Sequence, residues 1–427
     1  MNEQMIKKNN MKIYPIYKMF GWDLLFYYAV IFLFLTQVKN FSASEVLLID
    51  SFYGIFRIIS QVPCLSVVDL LGKQRSLLLG NILVSISILL LILGNSITVL
   101  IFLHLIQATG YNLKSICEPT LLADSIPKST ISAKIYSKID GKGSSFYYTF
   151  NAISCIGTGF LFVLNPYIPL ILCFIACLIS TIISVSFNEP NEKTVSDSKD
   201  EKFSSILYYK DLISTFKQII KSGRLKCLLI FSLFFRGILY LFITLRSSLL
   251  VAIGVPEQYF GVIIGLVQIV SSFSAMKQNW FHKKLKNRAL SWFALSITTS
   301  FIITGLLVIC NISFMVSLVV SLFTIALVGF IKAPYFTLLQ RYLNSFSNPK
   351  VNTKIFAINT ILENLGRVLL SLLSSVLLGI TTTPYALIII GCLFFTIFIF
   401  LLDYMKTKVG LNPEEYPKED LVFSDEK

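Results

Sequence analysis

Charge is scarce in this sequence. Only 14% of its 427 residues are Asp, Glu, Lys or Arg, against roughly 25% in soluble globular domains. Meanwhile 55% are hydrophobic and the mean hydropathy is +0.74. That balance excludes an ordinary water-soluble domain and points to a chain solvated by lipid. Histidine is scarcer still, with His104 and His282 alone, and HExxH, GxSxG and GxxxxGK[ST] are all missing. Metalloprotease, esterase and nucleotide-hydrolysing sites each need one of those constellations, so an intramembrane enzyme is a remote reading and no cofactor is expected. No CxxC pair occurs, and the eight cysteines are scattered; they read as small buried hydrophobes. The first apolar run lacks a small-residue cleavage site and reads as a retained helix. The polar segments, a central linker and a C-terminal tail, are too small for an output domain, which makes a membrane sensor remote as well.

What is abundant is long apolar runs. Twelve are long enough to cross a bilayer, at about 20–38, 45–68, 76–95, 98–123, 143–164, 168–187, 225–246, 258–276, 289–310, 313–340, 355–379 and 383–403. A span needs about 20 apolar residues, and without strand alternation such runs are helices. The fold expected is an all-α membrane protein. Its net charge of +14 is placed by side rather than in a nucleic-acid-binding patch. Short loops on one side carry Lys73, Arg75, Lys128, Lys134, Lys138, Lys142, Lys277, Lys283, Lys284, Lys286, Arg288, Arg341, Lys350 and Lys354; those on the other carry Lys39. This asymmetry follows the positive-inside rule and predicts cytoplasmic termini in a cell inner or plasma membrane. The partners expected are a small-molecule substrate and the lipid bilayer, with no nucleic acid, and the state expected is a monomer.

Organisation is 6 + 6: a first bundle at 1–187, a cytoplasmic linker with an amphipathic helix at 188–224, a second bundle at 225–405 and a tail at 406–427. The stretch "NEPNEKTVSDSKDEK" is charged and lacks aromatics, so disorder is expected over 188–200. The halves echo one another in order. "GYNLKSICEPTLL" parallels "GFIKAPYFTLL", "ISAKIYSKI" parallels "VNTKIFAIN", "GIFRIISQ" parallels "GVIIGLVQ" and "KQRSL" parallels "KNRAL". The expectation is two pseudo-symmetric six-helix bundles.

A charge at the bilayer centre is costly, and such residues face protein or water. Those inside spans are Asp23, Arg57, His104, Lys114, Glu118, Arg236, Lys332, Glu363 and Arg367, while spans 3, 6, 9 and 12 have none in their interiors and are expected to face lipid. Polar residues share helical faces: His104, Gln107, Tyr111, Lys114 and Glu118 in span 4, and Asp50, Tyr53, Arg57 and Gln61 in span 2. Span 5 contributes Tyr147, Asn151, Ser154 and Thr158; span 7 Ser232, Arg236, Tyr240 and Thr244; span 11 Asn359, Glu363, Arg367 and Ser371. One reading is ion pairs locking helices together. The other, preferred for the whole set, is a water-accessible cavity between the halves. Asp23, Arg57, Tyr111, Lys114, Glu118, Arg236, Lys332, Glu363 and Arg367 are its candidate substrate and coupling residues. Glu118 is expected to be approached by Lys114 and Lys332 from the two bundles.

The turn between spans 2 and 3, "VVDLLGKQRSLLLG", follows an apolar helix with Asp69, then Gly72, Lys73 and Arg75. These match the core of a loop, roughly G-x-L-a-D-r-x-G-r-k/r-x, that marks the major facilitator superfamily, which the chain resembles over nearly its whole length. The opening Gly of that loop is absent here. "HLIQATG" has His104 where the superfamily often has Arg, and "SCIGTGFLF" lacks the G-P-x-x-G-G of proton-coupled drug antiporters. The tail "DYMKTKVGLNPEEY" is similar to that of poorly characterised bacterial members. The resemblance implies alternating access of two bundles about a central site, with spans 1, 4, 7 and 10 lining it and Asp69, Gly72, Lys73 and Arg75 forming a gating loop.

The function expected is therefore secondary active transport of a small organic solute driven by the proton gradient. Asp23, Glu118 and Glu363 are the protonatable candidates, and His104 a weaker one. Tyr111, Tyr147 and Tyr240 favour efflux of amphiphilic molecules. The candidate cavity residues carry an excess of two positive charges, which favours the alternative, uptake or exchange of an anionic metabolite.

Overall fold

The computed structural model describes residues 3–127, 132–189, 205–276, 284–285, 288–310, 312–345 and 349–408. Among the described residues the helices run in chain order. In the first half they are α1 (Glu3–Gly21), α2 (Ile31–Leu33, continued by a π turn over Phe34–Val38), α3 (Ala43–Leu71), α4 (Lys73–Leu93), α5 (Ile97–Ser125), α6 (Ser132–Leu164) and α7 (Ile168–Val185). Helix α8 (Ser205–Lys221) lies between the halves. The second half has α9 (Gly223–Ile253), α10 (Phe260–Met276), α11 (Arg288–Ile309), α12 (Phe314–Ser345), α13 (Pro349–Ile380) and α14 (Thr383–Lys408). Among the described residues nine helices are long and apolar enough to span a bilayer. The other three crossings are the shorter α10, the polar-striped α5 and a first span that is not one helix. Most of the linker predicted to be disordered, and most of 282–288, lie outside the described residues.

Local chemistry sets the ends. Ser42 and Glu45 form a reciprocal cap at the start of α3, each side chain accepting from the other's backbone N–H. Ser222 caps α9, and Gly254, in the left-handed region at φ +89°, ends it.

The first span corrects the expectation of one helix over 20–38. Residues 22–30 are non-helical, flanked by α1 and α2. Asp23 accepts a hydrogen bond from the N–H of Leu24 at 2.9 Å, a local bond that competes with helix. Phe26 adopts φ +58°. Upstream, α1 reaches back through Lys12 and Asn9 to Glu3, because its other face buries Ile6, Asn10, Tyr14, Tyr17 and Lys18 against the first bundle.

The two halves repeat one set of helix pairings. Spans 1–5, 1–6, 2–4, 3–4 and 3–6 pack as α1–α6, α1–α7, α3–α5, α4–α5 and α4–α7, and their counterparts as α9–α13, α9–α14, α10–α12, α11–α12 and α11–α14. The seams between halves obey the same symmetry: α3 lies on α13, and α6 on α10. Glycine makes the second seam close. A Cβ on Gly159 would lie 2.4 Å from the carbonyl oxygen of Gln258, and one on Gly261 2.1 Å from that of Cys155.

Outward faces are apolar. Ile171, Ile175, Leu178 and Ile182 form an exposed stripe on α7, as do Ile82, Ile86, Leu89 and Leu93 on α4 and Ile389, Leu393 and Phe400 on α14. These belong to spans 3, 6 and 12, the helices expected against lipid. Six cysteines are buried and free, while Cys310 and Cys392 are exposed and free.

Candidate functional site

The cation and anion of α5 have separate neighbours on α1. Lys114 and Glu118 are 4% and 8% exposed, so neither faces lipid. The Lys114 ammonium donates to the carbonyl of Gly21, the last residue of α1. Helix ends leave carbonyls unpaired and partly negative, and a cation there is stabilising. Lys114 thus braces the break in the first span. Glu118 accepts from the hydroxyl of Tyr17 at 2.7 Å and lies 4.0 Å from Lys114. Lys114→Gln is expected to lower the amount of folded protein in the membrane, because the broken end loses its cap. Glu118→Gln is expected to act mainly on flux per molecule. Membrane abundance measured beside flux checks both.

Asp23 occupies the break itself. One of its oxygens accepts from the Leu24 N–H, from the Tyr28 hydroxyl at 2.8 Å and from the Tyr111 hydroxyl at 3.0 Å. Those two phenols belong to different cavities. Tyr111, with Lys18, Trp22, Arg57, Lys114 and Glu118, lines a space of about 330 Å³ toward the face carrying Glu3. Tyr28, with Tyr27, Asp50, His104, Tyr240 and Arg246, lines a chamber of about 100 Å³ toward the opposite face. The second chamber draws on both halves, and Asp23 lies between the two.

The bundles are joined near that chamber. Arg367 on α13 pairs with Asp50 on α3 through both carboxylate oxygens, the contact to Oδ2 being 3.3 Å. Tyr240 on α9 donates to Asp50 at 2.6 Å and accepts from Arg367 at 2.5 Å. The Arg367 guanidinium lies 3.7 Å from the Tyr240 ring centre and 4.5 Å from that of Tyr53. Nearer the opposite face, Ser44 donates to the Ser375 carbonyl at 2.7 Å, and Gln37 to Glu257 at 2.5 Å.

The remaining candidates divide. Glu363 accepts from Ser232 and Asn359 and stands 3.9 Å from Arg236, whose guanidinium lies over Phe336. Lys332 does not join Lys114 and Glu118, contrary to expectation. It lines a separate cavity of about 20 Å³ with Arg246, Gln268 and Ser271. Asp50 stood on the span 2 stripe but outside the candidate list, and its spacing of seven residues from Arg57 on that face was the available signal. Arg246 is the last residue of the expected span 225–246, and hydropathy alone holds no signal for it. Together they add one anion and one cation, so the excess charge is unchanged.

The turn after α3 is tied down on the Glu3 face. Lys73 pairs with Asp124 at the end of α5. Glu189 accepts from the N–H of Gln74 at 2.8 Å, so the start of the linker caps α4. Asp69 and Arg75 are both exposed. Gly72 has φ +82°, and a Cβ there would lie 2.7 Å from the Glu189 carboxylate. Gly72→Leu is therefore expected to cost about 1–3 kcal/mol of backbone strain and to impair transport while insertion persists. Flux normalised to membrane abundance is the measurement; a parallel fall in abundance would mark a purely structural turn.

A broken first span, paired cavities and two bundles joined along symmetric seams define a membrane carrier of two matched halves. The Major Facilitator Superfamily profile matches residues 16–369, and the chain belongs to that superfamily. Solved structures agree in fold. A variant of the nucleoside transporter NupG aligns with a TM-score of 0.72 at 12% identity, over 95% of this chain and 99% of the other. The D-xylose-proton symporter aligns with a TM-score of 0.69 at 12% identity, over 96% and 98%. A POT family transporter in complex with 5-aminolevulinic acid aligns with a TM-score of 0.67 at 14% identity, over 96% of each chain. No curated protein sequence matches. The chain is a multi-pass membrane transporter, not an enzyme.

Proposed function

We propose that this protein is a proton-coupled secondary transporter of a small organic solute, working by alternating access, with Asp23 carrying the coupling proton. The supporting observation is the place of Asp23 between the two cavities, held by two phenols and a backbone N–H. Glu118, Glu363 and Asp50 each stand beside a cation. A carboxylate held by neutral donors takes up a proton without abandoning an ion pair, which suits it to cycle with water access. The D-xylose-proton symporter, similar in fold, is by its name a proton-coupled carrier.

Export is the leading direction, supported by the aromatic lining of the chamber of about 100 Å³, where Tyr27, Tyr28 and Tyr240 suit amphiphilic molecules. Uptake or exchange of an anionic metabolite is the second reading, favoured by Arg246 on the wall of that chamber. The protein acts as a monomer in the plasma or inner membrane, its termini in the cytoplasm.

Proteoliposomes with imposed pH gradients of either sign, tested against a panel of labelled solutes, decide coupling and direction together. Flux that follows the gradient and collapses with a protonophore supports the proposal; flux indifferent to pH overturns the coupling. Single cysteines within 39–44 and 252–257 should be labelled from outside intact cells, and those at 284–285 should not.

A further inference from the structure

Arg246 is a buried cation without an apparent purpose in the fold. It is 7% exposed, and its Nε has no hydrogen-bond partner. It stands in the wall between two spaces, the chamber of about 100 Å³ and the smaller cavity of about 20 Å³. The smaller cavity is bounded by α9, α10 and α12, and no carboxylate lines it: its polar residues are Arg246, Lys332, Gln268 and Ser271. Ser271 already donates to backbone carbonyls of Val267 and Gly329. The donors left facing the space belong to Arg246, Lys332 and Gln268. The one acid on the larger chamber, Asp50, is held by Arg367 and Tyr240.

The duplication explains why Lys332 is available. Lys114 and Lys332 stand four and three residues after the glycine of the parallel "GYNLK" and "GFIK" segments. In the first half that lysine caps the broken end of span 1 at Gly21. Its counterpart helix in the second half, α9, runs unbroken from Gly223 to Ile253, so it frees no mid-span carbonyls for Lys332 to cap. Two like charges facing one cavity in a low-dielectric interior call for an anion.

We infer that Arg246 and Lys332, with Gln268, form a binding subsite for an oxyanion group, a carboxylate or phosphate, of the transported solute, whose body lies in the chamber lined by Tyr27, Tyr28, His104 and Tyr240. The inference rests on the transport reading and specifies it: the solute is a small organic acid. Arg246 offers the planar fork that matches an oxyanion, and Lys332 adds a point charge. The smaller cavity limits the anchored end to one compact group. Gly329 keeps that wall thin, since a Cβ there would lie 2.4 Å from Val267.

The test uses full-length protein in detergent. Thermal stability is recorded with benzoate, lactate or inorganic phosphate, and with the uncharged benzamide and lactamide. At least one anion should stabilise the wild type while its amide does not. Arg246→Gln and Lys332→Gln should each weaken that response by at least about tenfold, and Arg246→Lys should retain part of it. Without ligand, both glutamine variants should melt no lower than the wild type, because each relieves a repulsion; a purely structural arginine would instead lower the melting point when removed. If Arg246→Gln does not give monodisperse protein, Lys332→Gln and Lys332→Met decide. Equal responses to acids and amides, or glutamine variants that respond like the wild type, overturn the subsite. Flux of labelled anions in proteoliposomes separates the two levels. Anion flux undiminished in Lys332→Gln removes the subsite and leaves the transporter, whereas anion binding without any solute flux removes the transport reading and leaves the subsite.

Discussion

Replacing Arg367 by alanine is expected to swing the two bundles apart on the face opposite Glu3. Arg367 is the one cation paired with Asp50 across the α3–α13 seam in the described contacts, and Tyr240 ties a third helix to the same pair. Both charged side chains are largely buried, at 16% and 14% exposure. Removing one partner of such a pair costs about 3–5 kcal/mol, because the other charge is stranded in a poor solvent. The cost falls on this conformation alone, since water can reach Asp50 once the seam parts. A shift of that size changes the ratio of two states by about a hundredfold to a few thousandfold, enough to invert a population. Ser44 and Ser375, whose hydroxyls lie 3.1 Å apart, are the place to read it. A Ser44→Cys, Ser375→Cys pair should form a disulfide readily in the parent and poorly with Arg367→Ala. Exchanging the charges, Asp50→Arg with Arg367→Asp, should restore part of the crosslinking. Unchanged crosslinking with unimpaired transport would show that the pair does not hold the bundles.

The second large effect is expected at Asp23. In Asp23→Asn the amide oxygen still accepts from Leu24, Tyr28 and Tyr111, so the break keeps its shape and the protein should reach the membrane in normal amount. What disappears is a group that exchanges a proton. Uphill, gradient-driven flux should fall by about a hundredfold or more, the scale on which a single essential acid–base group acts. Exchange of solute down equal concentrations, which moves no net proton, should persist. Parallel assays of uphill flux and counterflow in the same proteoliposomes make the distinction. Loss of both with normal abundance would make Asp23 a substrate ligand, and retention of uphill flux would exclude it from coupling.

These two residues show where the sequence was informative. Spans could be counted because lipid leaves the backbone one solution, and spans 3, 6 and 12 could be placed outside because their interiors lack charge. The polar stripe of α5 was legible from helical spacing, and His104, Gln107, Lys114 and Glu118 on it are indeed buried. The break at Asp23 was not legible. Hydropathy averages over a window, and "GWDLLFYYAV" is apolar enough to pass for helix, while part of what holds the break lies on another helix, in Lys114. Asp50 was visible as a residue on a stripe, but its partner lies more than 300 positions away on the other bundle. Arg246 looked like a residue at the membrane edge because α9 was expected to end near it, whereas the helix runs on to Ile253. Glu189 sat in a stretch whose composition announces disorder, yet its carboxylate closes the end of α4. Local pattern located elements; pairings between distant elements required the fold.

The seam at Gly54 has a mechanical consequence. A Cβ there would lie 2.6 Å from Val368, so α3 and α13 touch almost backbone to backbone at that height, and the contact can serve as a pivot. At about 1.5 Å per residue, α3 extends roughly 26 Å from Gly54 to Leu71 but only about 15 Å from Gly54 to Ser44. The lever arms are unequal. A rotation of about 15° moves the long end by roughly 7 Å and the short end by about 4 Å. A rotation that opens the Glu3 face opens a wide mouth there, and an equal rotation in the other sense opens only a narrow one opposite. Passage through the short-arm side therefore sets the upper size of the cargo, and enlarging the chamber alone would not admit a bulkier one.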